Sequence, residues 1–261
     1  MEWFEALILG IIQGLTEFLP VSSSGHLELG KVILGVELKE DMTFTIVVHG
    51  ATVLSTIFVF WKDLVRLFKA VFRFKWDEET KYIAKLFISM IPVGVLGVLY
   101  KDEIKSLFTG NVLLVGSMLL VTAVLLAATN YAKPKKRSLG FWDSIIIGVA
   151  QAVATIPGIS RAGSTIATGL LLGNKKEEVS RFSFLMVLIP IIAANILDLK
   201  DIDFATSSIS PLTLIVGFVA AFITGVIACK WMIKIVNNGK LIWFAVYCAL
   251  VGSVAIIYYF V

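Results

Sequence analysis

Six apolar runs dominate the chain: Thr43–Trp61, Tyr82–Tyr100, Val112–Tyr131, Phe182–Leu197, Leu212–Ile233 and Leu241–Val261. Each approaches the roughly 20 residues that a helix needs to cross about 30 Å of hydrocarbon. Lipid offers no partner for a backbone N–H or C=O, so such runs are expected to be membrane-spanning helices. With 58% of its 261 residues hydrophobic and 16% charged, the chain has too little polar surface for a soluble globule. The expectation is an all-α polytopic membrane protein forming a single membrane domain over 1–261. Its start, Met1-Glu2-Trp3, lacks the basic region of a cleaved signal peptide, so the first apolar segment is expected to remain.

Charge orients the spans. Lys62, Arg66, Lys69, Arg73, Lys75, Lys81 and Lys85 form one basic stretch and Lys133 to Arg137 another. Both are expected to be cytoplasmic, and the two spans between them return the chain to the same side. The more acidic segments Glu37 to Asp41 and Asp198 to Asp203, together with both termini, then fall outside. The basic residues flank spans and build no separate basic domain, so the net charge of +4 reflects contact with anionic membrane lipids and no nucleic acid is expected as a partner. Val65–Trp76 alternates Arg, Lys, Phe and Val and reads as an interfacial amphipathic helix. Cys229 and Cys248 lie in apolar runs and read as small buried hydrophobes, and with two histidines they form no zinc-binding spacing.

Two regions are not simple spans. Met1–Leu19 and Trp142–Ile156 are each interrupted by Pro and Gly before a second short apolar piece, Leu27–Leu34 and Ile166–Leu172. These are expected to be re-entrant helical hairpins, since irregular backbone at membrane depth must be buried in protein or line a wet cavity. They also match each other at a constant offset of 138, pairing Gly10 with Gly148, Gln13 with Gln151, Ser22 with Ser160, Gly25 with Gly163, Gly35 with Gly173 and Phe44 with Phe182. Three spans separate the copies, and an odd number inverts the second, so inverted-topology repeats are expected with halves of about 1–132 and 133–261.

The interruptions carry the chemistry. Gln13 and Glu17 are four apart and share a helical face. A carboxylate at membrane depth costs about 2.5–3.5 kcal/mol on insertion scales, so it calls for a function. Glu17 suits a general base, or a metal ligand together with Gln13. Ser22, Ser23 and Ser24 follow Pro20 in a turn whose hydroxyls can cap the next helix or supply a nucleophile and phosphate ligands. His26 titrates in the range needed for proton transfer, or is a buried, satisfied histidine. Arg161 stays charged at any burial and grips phosphate oxygens with a planar fork. Ser160, Ser164 and Thr165 flank it, either as a hydroxyl cradle or as helix caps. His49, inside a span, is a polar group near the site or an interhelical hydrogen bonder.

These two islands strongly resemble the undecaprenyl-diphosphate phosphatases of the bacitracin-resistance type. Gln13, Glu17, Ser22, Ser23 and His26 match the family's first signature, and Pro157, Gly158, Ser160, Arg161 and Thr165 match its second, with Ala162 where the family commonly carries Ser. The resemblance implies removal of the terminal phosphate from a C55 polyprenyl diphosphate lipid at the outer face of the bacterial inner membrane, recycling the cell-wall carrier lipid. It also implies dependence on a divalent cation, Mg2+ or Ca2+, and a fold of two interlocked inverted repeats. Catalytic roles are then expected for Glu17, Ser23, His26 and Arg161, substrate contacts for Gln13, Ser22, Ser24, Ser160, Ser164 and Thr165, and metal ligation for Glu17 and Gln13. Ser23 is the favoured nucleophile, with Glu17 or His26 as base; attack by His26 or by water stays open. A homo-oligomer is compatible with the sequence. The rival reading is a lipid or solute transporter, because broken helices in inverted repeats are also the usual transporter plan.

Overall fold

The computed structural model describes residues 1–35, 41–108, 110–132, 137–199, 209–239 and 241–260. Backbone polarity is satisfied there by helices: α1 (Trp3–Phe18), α2 (Ser23–Leu34), α3 (Asp41–Val59), α4 (Trp61–Val71), α5 (Glu78–Leu99), α6 (Lys101–Ser106), α7 (Val112–Ala128), α8 (Phe141–Val153), α9 (Arg161–Leu171), α10 (Lys176–Met186), α11 (Leu188–Leu199), α12 (Pro211–Asn238) and α13 (Ile242–Phe260). Five stretches are long and apolar enough to cross a membrane: Glu78–Leu99, Val112–Tyr131, Lys176–Asp198, Pro211–Asn238 and Ile242–Phe260. A sixth is reached if α3 and α4, bent by 76° at their junction, count as one. The protein is thus all-helical, with five or six spans.

Four expected segments have other bounds. The second pieces of the interrupted regions begin at Ser23 and Arg161 rather than at Leu27 and Ile166, because the serine before each acts as the helix cap: Ser22 Oγ accepts from Gly25 N at 3.3 Å, and Ser160 Oγ from Gly163 N at 3.0 Å. The same bond is therefore made at both ends of the 138-residue offset. The run Phe182–Leu197 is two helices meeting at Val187. Pro190 has no N–H to give and its ring crowds the carbonyl of Met186, where α10 ends. The amphipathic helix starts and stops earlier than Val65–Trp76, as α4, and Phe72–Trp76 lies outside it. The basic cluster at 133–136, the acidic segment at 37–40 and most of that at 200–203 lie outside the described residues.

Local chemistry sets other helix ends. Asp77 caps α5 by accepting from Thr80 N at 3.0 Å, and that bond holds its carboxyl below the ordinary carboxylate range. Asp143 accepts from Gly140 N at 2.7 Å at the start of α8 and also pairs with Arg137. Ser210 and Pro211 open α12, and Gly239 closes it at φ 70°, a conformation that glycine adopts without strain.

Small residues let helices approach closely, as is usual where lipid supplies no hydrophobic drive between them. Gly10 and Gly14 of α1 face Gly217 and Ala221 of α12, and a Cβ on Gly10 would come within 2.5 Å of the Gly217 carbonyl oxygen. Gly116 and Gly252 place α7 against α13, each glycine facing the other's carbonyl oxygen. Gly148 sets α8 onto the backbone of α5 at Ser89. Ser55 of α3 donates to the Phe222 carbonyl of α12 at 2.9 Å. The outside is apolar, with Val98 80% and Val124 71% exposed, whereas Gln13, Ser22, Thr52, Ser55, Ser89, Ser160 and Thr165 are buried. This inversion of the soluble pattern gathers the polar side chains of α1, α2, α3 and α9 inside the helix bundle.

Candidate active site

Glu17, in the last turn of α1, is the hub. Its side chain is 7% exposed and its two oxygens are used differently. Oε1 accepts from Arg161 Nη2 at 2.8 Å. Oε2 accepts from Ser23 Oγ at 2.6 Å and from Gln13 Nε2 at 3.0 Å. Arg161 is the first residue of α9, and Ser23 the first of α2, so the caps that start these two helices also aim both side chains at the end of α1. The Gln13 contact is the i, i+4 pairing expected of one helical face.

Ser22 caps α2 at φ 70°, which costs an L-residue roughly 1–2 kcal/mol. It is held there from several sides: Ser22 Oγ lies 3.3 Å from Ser24 Oγ, and its carbonyl accepts from His26 N at 3.1 Å and from His26 Nδ1 at 2.9 Å. Because that carbonyl can only accept, Nδ1 carries a proton, which leaves Nε2 to accept from the Tyr247 hydroxyl at 2.9 Å. The rings of His26 and Tyr247 also stack, with centroids 5.5 Å apart and planes 12° from parallel. His26 therefore faces α13 and clamps the serine turn, while Ser23 faces Glu17. The short sequence separation suggested all three would meet; the turn sends Ser23 and His26 in different directions.

On the second island, the Thr165 hydroxyl donates to the Arg161 carbonyl at 2.9 Å and is also bonded to Ser183 of α10. Ser160 is the α9 cap, 1% exposed, and Ser164 is 4% exposed within the same helix. The Ser160 and Thr165 hydroxyls thus bond the backbone of α9 itself. Thr122 of α7, which the sequence did not single out, donates to the Gly158 carbonyl at 3.1 Å and accepts from Ser160 N at 3.0 Å, fixing the turn that presents Arg161. No local signal marks Thr122. Ser183 stands 138 residues after Thr45, so a hydroxyl at both positions was a readable hint.

His49 joins the site as well: its Nε2 is 4.0 Å from Glu17 Oε2, and its Nδ1 donates to the Thr45 carbonyl at 2.8 Å. An ionisable residue in an apolar span was its signal. Nearby, Lys31 of α2 contacts Glu28 at 3.4 Å and Thr45 Oγ1 at 3.5 Å, a second buried pair of opposite charges.

A cavity of about 20 Å³ is lined by Glu17, Arg161, Thr52, Thr56, Ser183 and Phe184, among others. That holds about one water molecule. Within hydrogen-bonding reach of Glu17, Gln13 buries its carbonyl oxygen Oε1 with no partner; its counterpart Gln151 buries both amide atoms unpartnered.

The match to known proteins is unambiguous. The family model described as bacitracin resistance protein BacA matches residues 6–254. The chain belongs to the BacA family. It is 55% identical to a protein of Bacteroides fragilis named undecaprenyl-diphosphatase, over 98% of both chains. It is likewise 55% identical to one of that name from Parabacteroides distasonis, over 98% of both chains, and 40% identical to one from Halothermothrix orenii, again over 98% of both. The matched stretch runs from Ala6 in α1 to Val254 in α13 and so takes in both islands.

Proposed function

We propose that this protein is a membrane phosphatase that hydrolyses undecaprenyl diphosphate to the monophosphate and inorganic phosphate. The names of its full-length relatives support the substrate. The observation that carries the chemistry is one carboxylate, Glu17, bonded at once to a serine hydroxyl and to a guanidinium. Ser23 Oγ attacks the terminal phosphorus, its proton passes to Glu17 Oε2, and the bond to the bridging oxygen breaks with release of the prenyl monophosphate. Water then attacks the phosphoserine phosphorus as Glu17 returns its proton to the departing Ser23 Oγ; the protons of the water leave with inorganic phosphate, and the serine and carboxylate are restored. Arg161, released from Glu17 as the phosphates arrive, offsets charge on the transferring group. The leaving group departs as a stable anion, so a strong general acid is not required. Ser22, Ser24, Ser160, Ser164 and Thr165 shape the two turns around that phosphoryl position, and His26 holds the first of them.

Glu17 and Arg161 cancel one another, as do Glu28 and Lys31, so the described cluster offers a polyanionic diphosphate little net positive charge. A divalent cation fits this deficit. The unpartnered Gln13 Oε1 and the Glu17 carboxylate are hard oxygen donors suited to Mg2+ or Ca2+, with water and phosphate completing the shell. Bound there, the ion would supply charge stabilisation to the transferring phosphoryl group.

The same reading makes α1 with α2 and α8 with α9 re-entrant hairpins of two interlocked, inverted repeats. Supporting it, both second helices carry the same serine-to-glycine cap at an offset of 138, and the packing is reciprocal: α1 lies on α12, α8 lies on α5, and α5 shifted by that offset falls inside α12. With the basic stretch of α4 and α5 inside, the site faces outward from a bacterial inner membrane. Repeats of this kind also favour a transporter. Purified protein in detergent, without any gradient, separates the two: release of inorganic phosphate from C55 diphosphate, lost in Ser23→Ala, is expected, and no release would leave transport as the function.

A further inference from the structure

A second polar cluster lies away from the reacting groups, where α4, α5 and α10 meet. Asp63 Oδ1 is shared by two guanidiniums, Arg66 Nη2 at 3.4 Å and Arg181 Nη1 at 3.4 Å. Two positive charges on one carboxylate leave a surplus of one. Both arginine side chains remain about half exposed, at 50% and 46%, and each carries five N–H donors. The Tyr82 hydroxyl, in electrostatic reach of Arg181, Asp63, Arg66 and Glu178, is buried with no hydrogen-bond partner; Glu178 is itself paired with Lys175 at 3.4 Å, so it does not cancel the surplus. Its ring packs edge-on against Phe182, next to Arg181.

An apolar groove of about 230 Å³ begins beside this cluster. On each contributing helix the polar residue sits within a turn of the wall: Asp63 and Arg66 beside Leu64 and Leu67, Tyr82 before Ile83 and Leu86, Arg181 one turn before Leu185. The cluster residues are thus close chain neighbours of the groove wall on all three helices. The groove is open to the lipid side, where its residues Phe68 and Phe87 are 66% and 56% exposed. Its wall α4 turns away from the span α3 by 76°, as a helix lying along a membrane surface does. An apolar void of this size forfeits dispersion contacts unless hydrocarbon fills it.

We propose that this groove is a binding site for an anionic phospholipid, with one acyl chain between α4, α5 and α11 and the headgroup phosphate bridging Arg66 and Arg181 and accepting from Tyr82. The surplus positive charge repels the choline of a zwitterionic lipid and so selects for net negative headgroups. Leu188 lines both this groove and the cavity at Glu17, but none of the described hydrogen bonds or ion pairs joins Arg66, Arg181 or Tyr82 to Glu17, and lipid binding here does not depend on the reaction assigned there.

Native mass spectrometry of the whole protein, exchanged into micelles holding equal phosphatidylglycerol and phosphatidylcholine, tests this. One retained phosphatidylglycerol, favoured at least about tenfold because phosphatidylcholine brings a further positive charge to the two arginines, is expected. Arg66→Gln with Arg181→Gln should erase the preference and Arg66→Lys with Arg181→Lys should keep part of it. Asp63→Asn, which frees both guanidiniums, should increase it. Met90→Trp, filling the groove, should lower retention of both lipids. Equal retention of the two lipids by the unaltered protein, or an unchanged preference in the double glutamine variant, overturns the proposal. So does displacement of phosphatidylglycerol by an equal amount of polyprenyl monophosphate, which would make the site one for the reaction product.

Discussion

Arg161 reaches across 144 residues of chain to place Nη2 2.8 Å from Glu17 Oε1, joining the first helix of the protein to the ninth. The same carboxylate holds Ser23, so the positive charge and the nucleophile are registered against one group. Loss of the planar fork should therefore do more than weaken binding. Arg161→Lys keeps the charge but offers only a point donor, and phosphate release is expected to fall by on the order of a hundredfold or more. Near-normal turnover in this variant would remove Arg161 from the reaction.

Ser23→Ala deletes the hydroxyl 2.6 Å from Glu17 and should abolish turnover while leaving binding of the lipid diphosphate measurable. A quenched reaction with labelled terminal phosphate should trap label on Ser23 in the unaltered protein. Label on His26 instead would transfer the nucleophile's role to the histidine.

His26 bridges Ser22 and Tyr247 and makes no contact with Glu17 among the described bonds. Tyr247→Phe preserves the ring stack and removes one hydroxyl, so kcat should drop by no more than about tenfold, in line with a net hydrogen bond of about 0.5–1.5 kcal/mol. His26→Ala should lower the rate further through the loosened turn, yet leave the shape of the pH–rate profile intact. Disappearance of a limb of that profile would restore His26 as the proton acceptor.

Gly14 meets α12 so closely that an added Cβ would overlap Thr224 Oγ1 and lie 2.5 Å from the Ala221 carbonyl oxygen. Gly14→Ala should push α1 outward, costing about 1–3 kcal/mol as overpacking does. A lower Tm in detergent together with reduced turnover is expected, since Gln13 and Glu17 ride on the same helix. Unchanged Tm would mean that α1 and α12 are less tightly seated than these distances require.

Sidedness is tested with single cysteines in intact cells, the native Cys229 and Cys248 both being buried. Ser106→Cys, at the end of α6, should react with a membrane-impermeant reagent, and Lys75→Cys, between α4 and α5, should not. The reverse pattern would turn the site toward the cytoplasm.

What the chain determined by itself is local. Spans could be read because each is a continuous apolar stretch whose insertion depends on its own residues, and Gln13 and Glu17 share a face because both belong to α1. The two islands stood out because carboxylate, hydroxyl and guanidinium groups are costly in such surroundings. Folding decided the rest. Whether Ser23 or His26 meets Glu17 depends on the positive φ of Ser22 and on Tyr247, 221 residues beyond His26. His49 and Thr122 enter the site only because α3 and α7 pack beside the two turns. Sequence spacing fixes neighbours along one helix, but contacts between helices follow from where small residues allow backbones to close, and that is a property of all the helices together.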